Sequence, residues 1–161
     1  MIDYSRFSHQ YGVPLDLLRA IVLTESGGDR FAMRYEPRYR WLWDVKRNRP
    51  YSSKTPDLFP APAGVSRETE RNAQMTSWGL MQVMGAVARE RGFEGRFLSE
   101  LCSIEVGMRY GCQHLLAYRK RYGNWEAAAV SYNAGSPRRK EDGTWVNQVY
   151  IDKLRQHGWR G

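Results

Sequence analysis

The stretch from Pro14 to Gly28 constrains the fold most strongly, because it places a carboxylate on the apolar face of a helix. Side chains at positions i, i+3, i+4 and i+7 lie on one face of an α-helix. The residues at that spacing are Leu18, Ile21, Val22 and Glu25. Pro14 suits the start of a helix, and the Gly27-Gly28 pair suits its end. Glu25 is therefore predicted to lie in the last turn of a buried helix.

This position disfavours the ionised form of the Glu25 carboxyl. The apolar stripe removes water from the carboxylate, and the negative end of the helix dipole opposes its charge. Both effects raise the pKa of Glu25, so the carboxyl is expected to keep its proton near neutral pH. Such a group is a candidate general acid. The alternative is a side chain that simply reaches water at the helix end, because perturbed carboxylates mark functional sites only as a tendency.

Composition limits the class of protein and the partners. A chain of 161 residues with 42% hydrophobic residues forms one domain with a substantial core. The 25 Lys and Arg against 17 Asp and Glu give a net charge of +8. A basic surface favours a polyanionic partner, which could be nucleic acid, an anionic membrane face or a cell wall rich in carboxylates and phosphates.

Cysteine, histidine and apolar patterns exclude several further classes. Cys102 and Cys112 are too few for a disulfide scaffold or a zinc site, so we expect free, partly buried thiols. No metal or other cofactor is expected, because the three histidines are scattered: His9, His114 and His157. Residues 1–6 do not resemble the start of a signal peptide, and no apolar run is long enough to span a membrane.

The remaining pattern is mostly helical. Asp3 can cap a first helix that Gly12 ends, and four more helices are predicted, over 85–91, 103–122, 125–134 and 145–156. From Asp29 to Met75 the helical period is lost and prolines recur. This segment is expected to be irregular, with short strands or helical turns, and either to flank a cleft or to form a surface loop.

Four short pieces stand in an order that resembles the soluble lytic transglycosylase family, relatives of goose-type lysozyme that cleave peptidoglycan. The pieces are Glu25-Ser26, Gly79-Leu80-Met81-Gln82-Val83-Met84, Ser131-Tyr132-Asn133-Ala134-Gly135 and Tyr150-Ile151. The resemblance runs from Gly12 to about Tyr150. It implies a mainly α, lysozyme-like α+β fold, in which a helical domain and a small irregular or β lobe flank the cleft. Residues 1–161 would then be a single catalytic domain.

The resemblance also implies the reaction. The substrate would be the β-1,4 bond between N-acetylmuramic acid and N-acetylglucosamine in peptidoglycan glycan strands. Glu25 would protonate the leaving oxygen while the substrate's N-acetyl group stabilises the developing cation. As a base, Glu25 would then take the proton of the sugar's C6 hydroxyl and so close a 1,6-anhydro ring. An internal nucleophile gains from proximity, so one carboxylate suffices.

Three further residues of the first two pieces are implied to bind substrate. Ser26 would help to position it, although a hydroxyl at a helix end can equally form a local cap. Gln82 would contribute hydrogen bonds to the saccharide groove, and if buried its amide must find partners in the protein or in a ligand. Met84 would line the groove by apolar contact, with core packing as the alternative.

Three residues of the later pieces complete the implied site. Tyr132 would hold the N-acetyl group and help to set the environment of Glu25. Asn133 would bind sugar. Tyr150 would hydrogen-bond Glu25 or the substrate. For both tyrosines the alternative is a core residue with a satisfied hydroxyl.

Two other functions remain open from the sequence. If Glu36 faces Glu25 across the cleft, it could activate water, which would make the enzyme a hydrolytic muramidase. A surface Glu36 or a substrate-binding Glu36 is also possible. Asp29 and Asp44 are weaker candidates for a second carboxylate. A non-catalytic basic virion or nucleic-acid-binding protein is the other interpretation, which the net charge of +8 and the Arg/Trp cluster at 38–43 permit. No nucleic-acid-binding motif is present, so no nucleic-acid partner is expected.

The sequence departs from the family in two respects. The segment from Tyr35 to Met75 is longer than in many bacterial members, and Ala73 stands near a place where the family often has serine, with Thr76 and Ser77 following. The absence of a signal peptide resembles a bacteriophage endolysin or a virion-borne wall-degrading protein. We therefore expect a monomer made in the host cytoplasm that acts on the anionic cell wall, after release or as a virion component.

Overall fold

The computed structural model describes residues 2–52 and 59–161 and is mainly α-helical with small antiparallel sheets, which confirms the predicted fold class. In chain order the elements are α1 (Tyr4–Tyr11), α2 (Leu15–Ser26), β1 (Met33–Tyr35), β2 (Trp43–Asp44), β3 (Arg49–Pro50), α3 (Arg67–Gln74), β4 (Thr76–Trp78), β5 (Val83–Met84), α4 (Gly85–Glu90), a 3-10 helix (Leu98–Cys102), α5 (Ile104–Tyr122), α6 (Trp125–Ala134) and α7 (Gln148–Gln156). Among the described helices, none has the length and apolar character needed to cross a membrane.

The backbone forms two compact units. The helical unit comprises Met1–Gly28 and Gly111–Gly161, and the sheet unit comprises Asp29–Tyr110. Helix α5 begins in the sheet unit and ends in the helical unit. Each unit buries its own set of apolar side chains, and each carries some of the residues that the sequence analysis singled out.

The helical unit is built on α2, which packs against α1 and α7, while α6 also packs against α7. The predicted apolar face of α2 is confirmed, since Leu18, Ile21 and Val22 have no exposed surface. The helix ends as predicted, because Gly27 adopts a left-handed conformation and its amide caps the helix. The last helix begins three residues later than expected, at Gln148 instead of Trp145.

The sheet unit holds a three-stranded sheet of order β1-β4-β5 and a separate β2-β3 hairpin. Strand β4 pairs antiparallel with β1 and with β5, and Ser77 lies opposite both Arg34 and Met84. Gly79 begins the turn from β4 to β5 with a φ of +70°. A side chain there would also collide with the carbonyl oxygen of Leu101. The turn therefore requires glycine for its backbone conformation and for its close contact.

The segment predicted to be irregular contains the short strands β1, β2 and β3, as expected, but also the two-turn helix α3. Ser66 caps α3 by accepting a hydrogen bond from the amide of Thr69. The sequence analysis missed this helix because α3 is almost wholly polar and carries no clear apolar stripe. The part of the predicted segment at 53–58 lies outside the described residues.

Both cysteines are free thiols, as predicted. Cys112 is buried in α5, and this burial raises the pKa of its thiol to about 12. Cys102 is half-buried, and burial together with the nearby charge of Asp29 raises its pKa, although Arg30 opposes the shift. Both thiols are therefore protonated and weakly reactive near neutral pH.

A buried ion pair joins α3 to α4 within the sheet unit. Arg89 donates from Nε and Nη2 to the two carboxylate oxygens of Glu70 over 2.8 and 2.9 Å, and both residues are at most 4% exposed. Arg89 also donates to the carbonyls of Phe93 and Gly95, and Gln74 donates to Glu70. Each charge is thus paired and hydrogen-bonded, which is what burial of an ion pair requires.

We expect Arg89→Met to destabilise the protein by about 3–5 kcal/mol, because it leaves the buried Glu70 carboxylate without its counter-charge. Urea unfolding followed by circular dichroism measures the change. The control is Arg155→Met, which removes a half-exposed arginine that lies 3.5 Å from Glu126. Exposed pairs of this kind contribute up to about 1 kcal/mol. Equal losses in the two variants would contradict the assigned role of the buried pair.

Candidate active site

Glu25 lies one residue before the end of α2 and is half-buried. Its neighbours on the same helix face are the buried aliphatic residues, so the backbone of α2 fixes where the carboxyl can lie. Tyr150, from α7, donates a hydrogen bond of 2.8 Å from its hydroxyl to Glu25 Oε1. The structure thus brings together two predicted site residues that stand 125 positions apart in the sequence.

Two tyrosines interact with the Glu25 carboxyl, Tyr150 by a hydrogen bond and Tyr132 electrostatically, and both hydroxyl groups stay protonated. Burial, the negative charge of Glu25 and the hydrogen bond to it raise the pKa of Tyr150 far above its ordinary value. Burial and the charges of Glu25, Cys112 and Tyr118 raise the pKa of Tyr132 in the same way. Both hydroxyls therefore remain neutral donors over the whole pH range in which a carboxyl titrates.

The hydroxyl of Tyr150 can donate to Glu25 in either protonation state of the carboxyl. Oε1 accepts the hydroxyl proton of Tyr150. When Glu25 is neutral, its carboxyl can still accept this hydrogen bond while it carries its own proton. When Glu25 is ionised, the same bond stabilises the carboxylate. One contact is compatible with both protonation states, as an acid that later acts as a base requires.

Asn133 lies at the exposed end of α6, directly after Tyr132. Its Oδ1 accepts a hydrogen bond of 3.0 Å from Nδ2 of Asn147, which also donates to the carbonyl of Val130 over 3.1 Å. The sequence analysis did not single out Asn147. The signal that could have found it is its place three residues before Tyr150, at the N-terminal cap of α7.

Ser26 forms the local cap that the sequence left open as an alternative. Its hydroxyl donates to the carbonyl of Val22 over 3.1 Å and accepts from the amide of Gly28 over 3.2 Å. These bonds link the last turn of α2 to the glycines that follow it. A direct contact of Ser26 with substrate stays a prediction.

Gln82, in the sheet unit, has a left-handed backbone with a φ of +47°. Few residues other than glycine adopt this conformation without support from their surroundings. The support is visible, because Nε2 donates to the carbonyls of Ala32 and Gly79 over 3.0 Å each. Oε1 accepts from the Ser77 hydroxyl over 2.8 Å. The Gln82 amide therefore has protein partners at both ends, and its contact with a saccharide stays a prediction.

Met84 and Glu36 also belong to the sheet unit. Met84 is half-buried at the end of β5, where its backbone pairs with that of Ser77. The carboxylate of Glu36 is about one-third exposed and accepts a hydrogen bond from the guanidinium of Arg34, with which it forms an ion pair. The ion pair with Arg34 holds the carboxylate of Glu36 in place. A part for Glu36 in catalysis or substrate binding stays a prediction.

The two weaker carboxylate candidates are held in local turns. Asp29 accepts from the amide of Phe31 over 2.8 Å. Asp44 is buried, which by itself would raise its pKa, but hydrogen bonds from Arg47 and from the amide of Lys46 hold the pKa below its usual value. In the part of the chain that the structure describes, no three His, Cys, Asp or Glu side chains group in a way that could hold a metal ion.

The mainly α fold with small antiparallel sheets fits the predicted lysozyme-like α+β class, and its helical unit holds a half-buried carboxyl bonded to a tyrosine. The family model described as the transglycosylase SLT domain matches residues 5–154, and the chain belongs to this family. It is accordingly a lytic transglycosylase that acts on peptidoglycan. Comparison with curated proteins gives no match, and comparison with solved structures gives none either.

We expect Tyr150→Phe to lower the rate of wall cleavage about 10- to 100-fold, because a hydrogen bond to a charged group contributes about 1.5–3 kcal/mol. Release of soluble fragments from purified sacculi measures the rate. The matched control is Tyr110→Phe, since Tyr110 is as deeply buried but its hydroxyl donates over 3.4 Å to the carbonyl of Gly92. A Tyr150→Phe enzyme as fast as this control would contradict the role of the Glu25 contact.

Proposed function

We propose that this enzyme cleaves the β-1,4 bond between N-acetylmuramic acid and N-acetylglucosamine with Glu25 as its only catalytic carboxylate, and that it leaves 1,6-anhydro ends. The observation that carries this proposal is the hydrogen bond of 2.8 Å from the neutral hydroxyl of Tyr150 to Oε1 of the half-buried Glu25. Membership of the transglycosylase SLT family supports the reaction class.

In the first step the proton of the Glu25 carboxyl passes to the bridging oxygen, and the bond from that oxygen to C1 of the muramic sugar breaks. Positive charge develops at C1, where the substrate's own N-acetyl oxygen stabilises it. Glu25 becomes a carboxylate, and the hydrogen bond from Tyr150 stabilises its new charge.

In the second step Glu25 takes the proton of the C6 hydroxyl, and O6 forms a bond to C1. The proton that left the enzyme in the first step is thereby replaced, and no water is consumed. Because the nucleophile belongs to the sugar that is attacked, its effective concentration is high and no second carboxylate is needed.

We further propose a bacteriophage setting, in which the protein is made in the host cytoplasm and acts on the wall after release or as a virion component. We propose that the enzyme acts as a monomer without a nucleic-acid partner. Glu25, Tyr132 and Tyr150 all come from one chain, so the group around the acid needs no second copy.

We expect Glu25→Gln to abolish cleavage of purified sacculi, because an amide cannot deliver the proton. The matched control is Glu36→Gln, which removes the other candidate carboxylate and is expected to keep most of the activity. Mass spectrometry of the fragments tests the reaction, since anhydro ends lack one water relative to hydrolytic ends. Hydrolytic ends, together with an inactive Glu36→Gln variant, would instead establish a muramidase with two carboxylates.

We expect the cleavage rate on intact walls to fall as salt concentration rises. The net charge of +8 should speed encounter with an anionic wall, and ions screen such attraction beyond about 8–10 Å at 0.10–0.15 M salt. Initial rates over a range of sodium chloride concentrations measure this effect. A short glycan fragment, which carries far fewer charges than the wall, serves as the control substrate and should show a weaker dependence. A salt-independent rate on walls would remove this role of the charge.

A further inference from the structure

The carbonyl of Val130 decides how the side-chain amide of Asn147 is oriented. A carbonyl oxygen can only accept hydrogen bonds. The atom of Asn147 that lies 3.1 Å from it must therefore be the nitrogen, Nδ2, because an oxygen there would face another acceptor. Asn147 Oδ1 is consequently directed elsewhere, and it is buried without a hydrogen-bond partner among the described residues.

This orientation in turn fixes the amide of Asn133. The second proton of Asn147 Nδ2 points to Asn133 at 3.0 Å, so the facing atom of Asn133 must be the acceptor, Oδ1. The NH2 group of Asn133 then lies on the other side, and Asn133 is exposed. No described residue accepts a hydrogen bond from this NH2 group. The hydrogen bonds from Asn147 to Val130 and Asn133 thus leave both N–H donors of the Asn133 NH2 group unused at the surface.

We propose that Asn147 is a positioning residue that presents the Asn133 NH2 group as a donor to acceptor oxygens of the glycan. This inference rests on the proposed function and refines it, because it assigns the polarity of the contact. A free asparagine amide can rotate and offer either a donor or an acceptor. Held by Asn147, Asn133 offers donors only, which suits a sugar hydroxyl oxygen or the carbonyl oxygen of an N-acetyl group.

The same residue also connects this amide to the catalytic acid. The backbone carbonyl of Asn147 accepts a hydrogen bond of 2.8 Å from the amide of Tyr150, whose hydroxyl donates to Glu25. Asn133 directly follows Tyr132, and the negative charge of Glu25 acts on the hydroxyl of Tyr132. The Asn133 donors are therefore held by the chain segments that hold the two tyrosines of the site.

A double-mutant cycle tests the proposal on purified sacculi. Asn133→Ala is expected to lower the rate at sub-saturating substrate about fivefold and to leave the rate at saturation nearly unchanged, because a lost binding contact raises KM. Asn147→Ala should do the same in the wild-type background and nothing further in the Asn133→Ala background. An equal loss from Asn147→Ala in both backgrounds would overturn the proposal, since Asn147 would then act independently of Asn133.

Asn133→Asp keeps the inference testable if Asn147→Ala does not fold. The aspartate retains an oxygen that can accept from Asn147 and replaces only the outward NH2 group. We expect its urea midpoint to match the wild type and its KM to rise at least as much as in Asn133→Ala. A wild-type KM in Asn133→Asp would show that no donor is needed at this position.

Nuclear magnetic resonance separates failure of this inference from failure of the proposed function. In the nitrogen-15-labelled protein, the side-chain NH2 protons of Asn147 should exchange slowly with water and those of Asn133 rapidly. Slow exchange at Asn133 would overturn the positioning role whatever the enzyme does. If the exchange pattern is as expected but the wild type does not cleave sacculi, the geometry stands and the proposed function is wrong.

Discussion

The hydrogen bond from Tyr150 to Glu25 is the interaction on which the proposed chemistry of this protein depends. A carboxyl at the end of α2 has buried aliphatic neighbours and the negative end of the helix dipole beside it, so burial alone would leave its charge poorly stabilised. The tyrosine supplies one neutral donor that cannot itself ionise in the working range. In the proposed reaction, the same donor can therefore serve Glu25 both as an acid and as a base.

Helix packing holds that donor in place. Helices α2 and α7 pack directly against each other. Helix α7 buries Ile151, which follows Tyr150 in the sequence, and Leu154, which lies one turn further along the helix. At the start of α7, Asn147 binds the end of α6 and so links it to the same group. The apolar core of the helical unit thus positions polar groups from three helices, and rigid elements hold such groups more accurately than loops do.

The sheet unit shows how polar side chains can be structural even where a family resemblance marks them as functional. Gln82 uses both ends of its amide to hold a left-handed turn, and Ser77 completes that arrangement. Glu70 and Arg89 anchor α3 to α4 through a fully paired buried contact. These networks fix backbone positions that an apolar core of this size would leave less well defined.

The sequence by itself determined the helix that carries Glu25, its apolar face and its glycine end, because all three depend on local spacing. It also determined the order of the other predicted helices and, through the resemblance, the family. It missed α3, whose polar residues carry no clear apolar stripe, and the buried contact between Glu70 and Arg89. The analysis of the sequence likewise did not single out Asn147. Only the tertiary structure decided that Tyr150 reaches Glu25, because that contact depends on how distant segments pack. It also decided that Ser26 caps its own helix and that Gln82 binds the protein, because those contacts depend on backbone conformations that sequence spacing does not encode.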